Sequence, residues 1–460
     1  MKRSTSMTYA VIGLILLGLL TVFCQNSKSV PMDITLAAVM ITIGLLATGL
    51  VMEYLAVLIF LSVVILLNIA PAAVTFSGFT SPAFWLTFAG IPLGMGIKKT
   101  GLADRAAHFL VRFCRGRYFF LVTGMAVFGL LMAFIMPSAM GRMMLIVPIL
   151  IAFAEANGFK AGSKGYNGLL LAGVFGSYMP GFAILPSNLP NVVLMGSVTS
   201  LFHINLNYAS YLYENFPVLG IVKVLLMIGV VSFMFQDAPG LDKTPPVVGA
   251  SKFSWSEKRL TFYLTVLLFA WFSDSITQLS PAWPALVIAV ICLLPGVGVL
   301  NHKGFMKEIN VEPLFFVAGL VSLSMVLSYS GLGMLLGQKL ISIMPFSQGH
   351  PFANYYLLSL MSALIGIVTT SPGMPAVTAP LASSLAQATG LPLNTVLMTQ
   401  VIGFSMFILP YQGPPLLVAM RLGNIPFKAM TKLCLIMFGL SVIALLPLQY
   451  LWWEAIRMIN

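Results

Sequence analysis

Prolines inside an otherwise apolar run constrain this chain more than any other feature. Residues 183–193 read Ala183-Ile184-Leu185-Pro186-Ser187-Asn188-Leu189-Pro190-Asn191-Val192-Val193, in the middle of a stretch apolar enough to cross a bilayer. Proline removes a backbone donor and clashes with the preceding turn, so a span through this point must be two half-helices joined by an unwound segment. In hydrocarbon the freed amides and carbonyls need partners, so such a break persists only inside protein or beside a water-filled cavity. The chain repeats the arrangement 224 residues later, as Phe407-Ile408-Leu409-Pro410-Tyr411-Gln412-Gly413-Pro414-Pro415-Leu416-Leu417. Paired broken helices at corresponding places in two halves of a membrane chain point to a transport site.

Composition agrees with the membrane reading. Of 460 residues, 59% are hydrophobic and only 8% charged, which excludes a soluble globular domain and defines an all-α polytopic membrane protein. The net charge of +12 reads as loop lysines and arginines on one membrane face rather than as a nucleic-acid surface. Cys24, Cys114, Cys292 and Cys434 stand singly in apolar context, without CxxC spacing, so they read as small apolar fillers. No cofactor is implied. Lys2 and Arg3 precede an apolar run to Phe23 with no small-residue cleavage site, which reads as an uncleaved first helix.

Against the roughly 20 residues needed to cross a bilayer, the chain divides into a leading helix and two similar halves. The leading helix falls within 1–30. Residues 31–236 form a first repeat, 237–258 a polar cytoplasmic linker, and 259–460 a second repeat. Each repeat has five spans plus one pair of short arms around a polar, proline-bearing joint, read as a re-entrant hairpin (118–155 and 353–389). About 11 transmembrane helices result. In each half a short span ends at glycine, at Gly101 and Gly331, before an amphipathic stretch (Leu102 to Arg115, and Leu332 to Ile343) that reads as lying in the interface. Leu201 to Phe216 reads as interfacial as well, Ala285 to Leu300 as one span, and Trp452 with Trp453 as an interfacial belt.

Five spans per copy is odd, so the second copy must be inverted relative to the first. With a cytoplasmic amino terminus, 19 loop lysines and arginines fall on the inner face and three on the outer, as the positive-inside rule requires of an inner-membrane protein. The first hairpin then enters from the cytoplasm and the second from outside.

Inverted hairpins and breaks bring four sets of helix ends together near the midplane. Half-helix amino termini favour an anion, while unwound carbonyls with Ser, Thr, Asn and Gln oxygens suit a hard cation such as sodium. Ser138, Ser187, Asn188 and Asn191 make one cluster; Thr369, Thr370, Ser371 and Gln412 make the other. Arg142 lies beside the first tip, at membrane depth. It either pairs with an anionic substrate, or stands where a cation would otherwise bind and makes the carrier an exchanger or uniporter, or snorkels to the cytoplasmic face. Lys223 lies inside a span and has no role assigned from sequence.

This layout resembles the divalent anion/sodium symporter family, within the ion transporter superfamily. The resemblance covers nearly the whole chain after the first helix. It rests on the two tips, each followed by a helix bearing a proline (Pro148 and Pro380), and on the two proline breaks. It implies a small anionic substrate (a di- or tricarboxylate, or sulfate), sodium as coupling ion, and an elevator-type movement against a homodimeric scaffold. The family's tips carry Ser-Asn-Thr. Here they read Ser138-Ala139-Met140 and Ser371-Pro372-Gly373, so only the serines match. The family's Pro-Pro-Asn becomes Leu189-Pro190-Asn191 and Pro414-Pro415-Leu416. Carried over residue by residue, the resemblance implies substrate contacts from Ser138, Ala139, Met140, Arg142, Asn188, Ser371, Pro372, Gly373, Gln412 and Gly413. It implies sodium contacts from Ser138, Ser187, Asn188, Asn191, Thr370, Ser371 and Gln412.

Three other readings compete, one of them a carrier of the same superfamily for an uncharged or differently charged solute. A membrane-embedded enzyme needs a nucleophile with a histidine or carboxylate partner at depth, and no histidine lies inside a clear span. An open channel fits two reciprocal broken helices less well than alternating access does.

Overall fold

The structure, a computed structural model, describes residues 30–102, 105, 117–238 and 253–459. The leading helix, most of the Leu102 to Arg115 stretch and most of the linker lie outside the described residues. Within them the chain is helical throughout, with no strand. Six helices are long and apolar enough to cross a membrane, among them Tyr118–Ile135, Ala139–Ala156 and Glu312–Tyr329.

Helix boundaries follow local chemistry. Ser81, Ser163 and Ser254 each cap a helix by accepting a backbone N–H with the side chain. Gly101 and Gly331 take left-handed φ values of 79° and 74°, which a side chain would resist, and turn the chain out of the short spans that precede them. Ser138 caps Ala139–Ala156 by accepting from the Gly141 N–H at 3.2 Å. The joint at 136–138 therefore separates two helices of 18 residues each. Each arm is long enough to cross by itself, so length does not distinguish a hairpin from two crossings. In the second pair, helix Pro351–Thr378 is kinked at Thr370 (φ 62°, ψ 166°) and continues through a short 3-10 turn to Ala382–Thr389.

Both breaks have the form that the prolines demand. The first runs from helix Lys164–Tyr178 through a 3-10 turn, Pro180–Ala183, to helix Leu189–Phe202. The second runs from Leu393–Phe404 through Pro410–Gln412 to Pro414–Leu422. Pro190, Pro414 and Pro415 fall in the first turn of the second arm, where a missing N–H costs no helical bond.

Packing relates the halves. Helix Tyr118–Ile135 lies along Lys164–Tyr178, as Pro351–Thr378 lies along Leu393–Phe404. The second arm of each broken helix packs on the other half's helix pair: Leu189–Phe202 on Pro351–Thr378, and Pro414–Leu422 on Ala139–Ala156. Small residues allow the closest approaches, for a methyl group on Gly129 would lie 2.4 Å from the Gly173 carbonyl. A π-helical segment, Phe216–Val222, is matched 225 residues later by another, Ser441–Leu445, and the two touch.

Three local expectations are corrected. Tyr208–Met234 is one continuous helix rather than an interfacial stretch followed by a span, and Tyr208 and Tyr211 are buried. The buried Asp274 carboxylate starts it by accepting from the Tyr208 and Ala209 N–H groups, so a pattern rich in Tyr and Asn recorded internal packing and not an interface. Ala282–Leu293 ends before Pro295-Gly296, well short of Leu300, because proline cannot continue the helix. Trp453 is fully buried, with its indole N–H donating to the Glu214 carbonyl, so only Trp452 keeps a partly exposed position. Ser254 and Glu257 form a capping box at the start of Trp255–Phe272.

Candidate functional site

The first break is assembled around Arg142. This guanidinium is completely buried. It donates to Ser177 Oγ at 3.0 Å, the Met136 carbonyl at 2.5 Å, the Ser187 carbonyl at 2.9 Å and Asn188 Oδ1 at 2.9 Å. Four of its five N–H bonds thus go to protein oxygens, from the tip, the first arm and the unwound segment. Snorkelling to the cytoplasmic face is excluded by that burial. Neighbouring side chains finish the closure: Ser187 Oγ donates to the Ala133 carbonyl, Asn188 Nδ2 to that of Tyr178, and Asn191 Nδ2 to those of Gly181 and Ile184. The carbonyls freed by the break are therefore largely satisfied from within.

The second break is closed by a different set. Ser371 Oγ, from the kinked helix, donates to the Phe404 carbonyl at 3.0 Å. Gln412 Oε1 accepts from the N–H groups of Ile408 and Leu409, both at 2.8 Å. Gln412 stands in the second break where Asn188 stands in the first, and each side chain pins its own unwound segment. Tyr411 reaches the Ile367 carbonyl, which ties the break to the first arm of the kinked helix. Lys223 is fully buried and donates to the Ser405 carbonyl at 2.6 Å and to Ser405 Oγ at 3.1 Å.

An aromatic seam joins the two clusters. Tyr178 stacks on Phe407 with ring centroids 5.3 Å apart, and Phe182 meets Phe404 and Phe407 at 5.6 and 5.2 Å. Gly413 faces Tyr178 so closely that a methyl group there would lie 2.7 Å from the phenol oxygen.

Arg142, Ser187 and Asn188 are thus bonded to one another, with Ser138 capping the helix that carries Arg142. Ala139 is buried and Met140 partly so beside that cap. Ser371, Pro372 and Gly373 are buried just past the kink, and Gln412 and Gly413 are buried in the second break. Two of the named oxygens, Asn191 Oδ1 and Thr370 Oγ1, are buried without a hydrogen-bond partner. Sequence reading missed Ser177, Ser405 and the four rings of the seam, Tyr178, Phe182, Phe404 and Phe407. Ser405 had a usable signal: it is a hydroxyl two residues before the repeated motif. The rings had none, since aromatic residues in an apolar span look like ordinary core. A cavity of about 740 Å³, lined in part by Arg117, Ser232 and Asp237, shares no residue with either break.

Two proline-broken helices, each closed by buried polar side chains and each packed on the other half's helix pair, define a polytopic membrane transporter. The chain belongs to the family of the sodium:sulfate symporter transmembrane region, whose model matches residues 4–459. It is a transport protein and not an enzyme. It is 25% identical over 405 residues to an L-tartrate/succinate antiporter of Escherichia coli strain K12, covering 82% of this chain and 79% of that protein. It is 23% identical over 460 residues to the sodium-dependent high-affinity dicarboxylate transporter 3 of Caenorhabditis elegans, covering 87% and 79%. Its fold is similar to that of the YdaH transporter of Alcanivorax borkumensis, with a TM-score of 0.52 at 16% identity over 83% of this chain and 86% of that one.

Proposed function

We propose that this protein exchanges small dianions, of the dicarboxylate or sulfate class, across the inner membrane without sodium. The anion class is supported by relatives whose names include a tartrate/succinate antiporter and a dicarboxylate transporter. The observation that carries exchange is Arg142. Its guanidinium occupies the carbonyl and amide oxygens of the first break that sodium would otherwise coordinate, and a tethered charge cannot be released to drive net uptake. In this reading the two halves are inverted repeats with re-entrant helix pairs, and the amino terminus is cytoplasmic. The breaks and pairs move together as an elevator against a dimeric scaffold. Ser138, Ala139, Met140, Ser371, Pro372, Gly373 and Gly413 present backbone and hydroxyl groups to the anion.

The sodium-coupled reading is favoured by the sodium:sulfate symporter family, by the sodium-dependent relative and by one structural observation. Asn191 Oδ1 and Thr370 Oγ1, one from each half, are buried oxygens without partners and suit a hard cation. One experiment separates the two. Proteoliposomes loaded with succinate or sulfate should take up the labelled anion equally in sodium and in choline, and empty vesicles should take up little. Uptake that requires a sodium gradient and no internal anion would establish symport instead. Arg142→Gln should abolish transport, because it leaves several buried acceptors unpaired at about 1–3 kcal/mol each.

A further inference from the structure

We propose that Lys223 is a second tethered cation, whose ammonium fills a monovalent-cation position at the second break. The proposal rests on the sodium-free exchange reading and extends it to the half of the molecule that Arg142 does not reach. Of the buried side chains among the described residues, Arg142 and Lys223 are the basic ones, and each lies on one break. Lys223 Nζ is bonded to both oxygens of Ser405, the residue that ends helix Leu393–Phe404. A helix carboxyl end carries unpaired carbonyls and a partial negative charge, which favour a cation. Carbonyl and hydroxyl oxygens are also what a hard cation takes as ligands. The preceding carbonyl, of Phe404, is held by Ser371 from the kinked helix. Two successive carbonyls at the break are therefore served by a hydroxyl and an ammonium.

Neither the Lys99–Glu308 nor the Arg105–Glu257 ion pair involves Lys223. The helix delivers the side chain by a specific distortion, since the π-helical segment Phe216–Val222 ends immediately before Lys223. A π turn holds one more residue than an α turn, so it re-aims the face that follows; such insertions concentrate at functional positions.

Removing the tether should leave a position that a free cation can fill. Purified wild-type protein should melt at the same temperature in sodium, lithium and choline chloride. Lys223→Ala should melt lower in choline, and sodium or lithium should restore it saturably, by about 2 °C for about 2 kcal/mol of binding. Lys223→Arg should keep the insensitivity of the wild type. If Lys223→Ala does not fold, the same comparison on Lys223→Gln decides the matter. A variant that melts alike in all three salts would overturn the role of Lys223 and leave sodium-free exchange standing. A wild-type protein stabilised by sodium would overturn the exchange reading itself. Because melting requires no anion, the result is independent of which solute is carried.

Discussion

Thr370 carries the most strained backbone of the central region. Its φ of 62° and ψ of 166° fall where glycine is usually found, and a β-branched side chain makes that conformation costlier still. Its hydroxyl is also buried without a partner. Replacing it separates these two properties. Thr370→Gly should raise the unfolding free energy by about 1 kcal/mol by removing strain, while Thr370→Ala keeps the Cβ part of the strain and loses the β-branch and the hydroxyl. Thermal melts paired with exchange rates check this. If the hydroxyl meets the transported solute, both variants slow transport although neither loses stability. The kink was legible as a polar, proline-bearing joint, but its position on Thr370 rather than on Gly373 was not. Backbone strain is a property of the surrounding packing and leaves no mark in composition.

The helix Tyr118–Ile135 and the first arm of the first broken helix touch at their backbones. Cβ atoms on Gly129 or Gly176 would fall 2.4–2.6 Å from carbonyl oxygens of the opposite helix. Backbone cannot yield as a flexible side chain can, so Gly129→Ala should force the helices apart and lose about 2–3 kcal/mol, read as a lower melting temperature in detergent. Gly439→Ala, with open space at its Cβ, serves as the control. At this scale sequence reading worked best where proline or glycine dictated an ending. Both breaks, the Gly101 and Gly331 turns and the joint before Ser138 all follow from covalent limits of single residues. It failed where tertiary packing decided. Tyr208 and Tyr211 look amphipathic in sequence, yet Tyr211 donates to the Phe182 carbonyl beside the first break. Likewise Lys223 gave no hint of its partner, which lies 182 residues away.

Across the whole molecule, a charged contact ties the stretch that follows the first short span to the start of the second half. Arg105 donates to both Glu257 oxygens, at 2.9 and 3.2 Å, and its guanidinium lies 4.1 Å from the Phe253 ring centroid. Glu257 precedes the apolar run that begins at Leu260. The Arg105 hydrogen bonds, helped by those from Ser254, hold its carboxyl down at about 2 against an ordinary 4.5. A carboxyl lowered on folding contributes its full stability above the unfolded value and loses it as pH falls toward the folded one. The wild-type protein should therefore lose stability between about pH 4.5 and about pH 2 by more than Glu257→Gln does, and melting curves of the two across that range test it.

The interlocked rings of Tyr178, Phe182, Phe404 and Phe407 bear on how such a molecule can move at all. A sliding plane between the two discontinuities would have to unstack Tyr178 from Phe407 and draw Phe182 out from beside both phenylalanines. In the elevator reading proposed above, the shear surface therefore lies outside that seam, and both discontinuities travel together, like a bolt withdrawn whole from its housing.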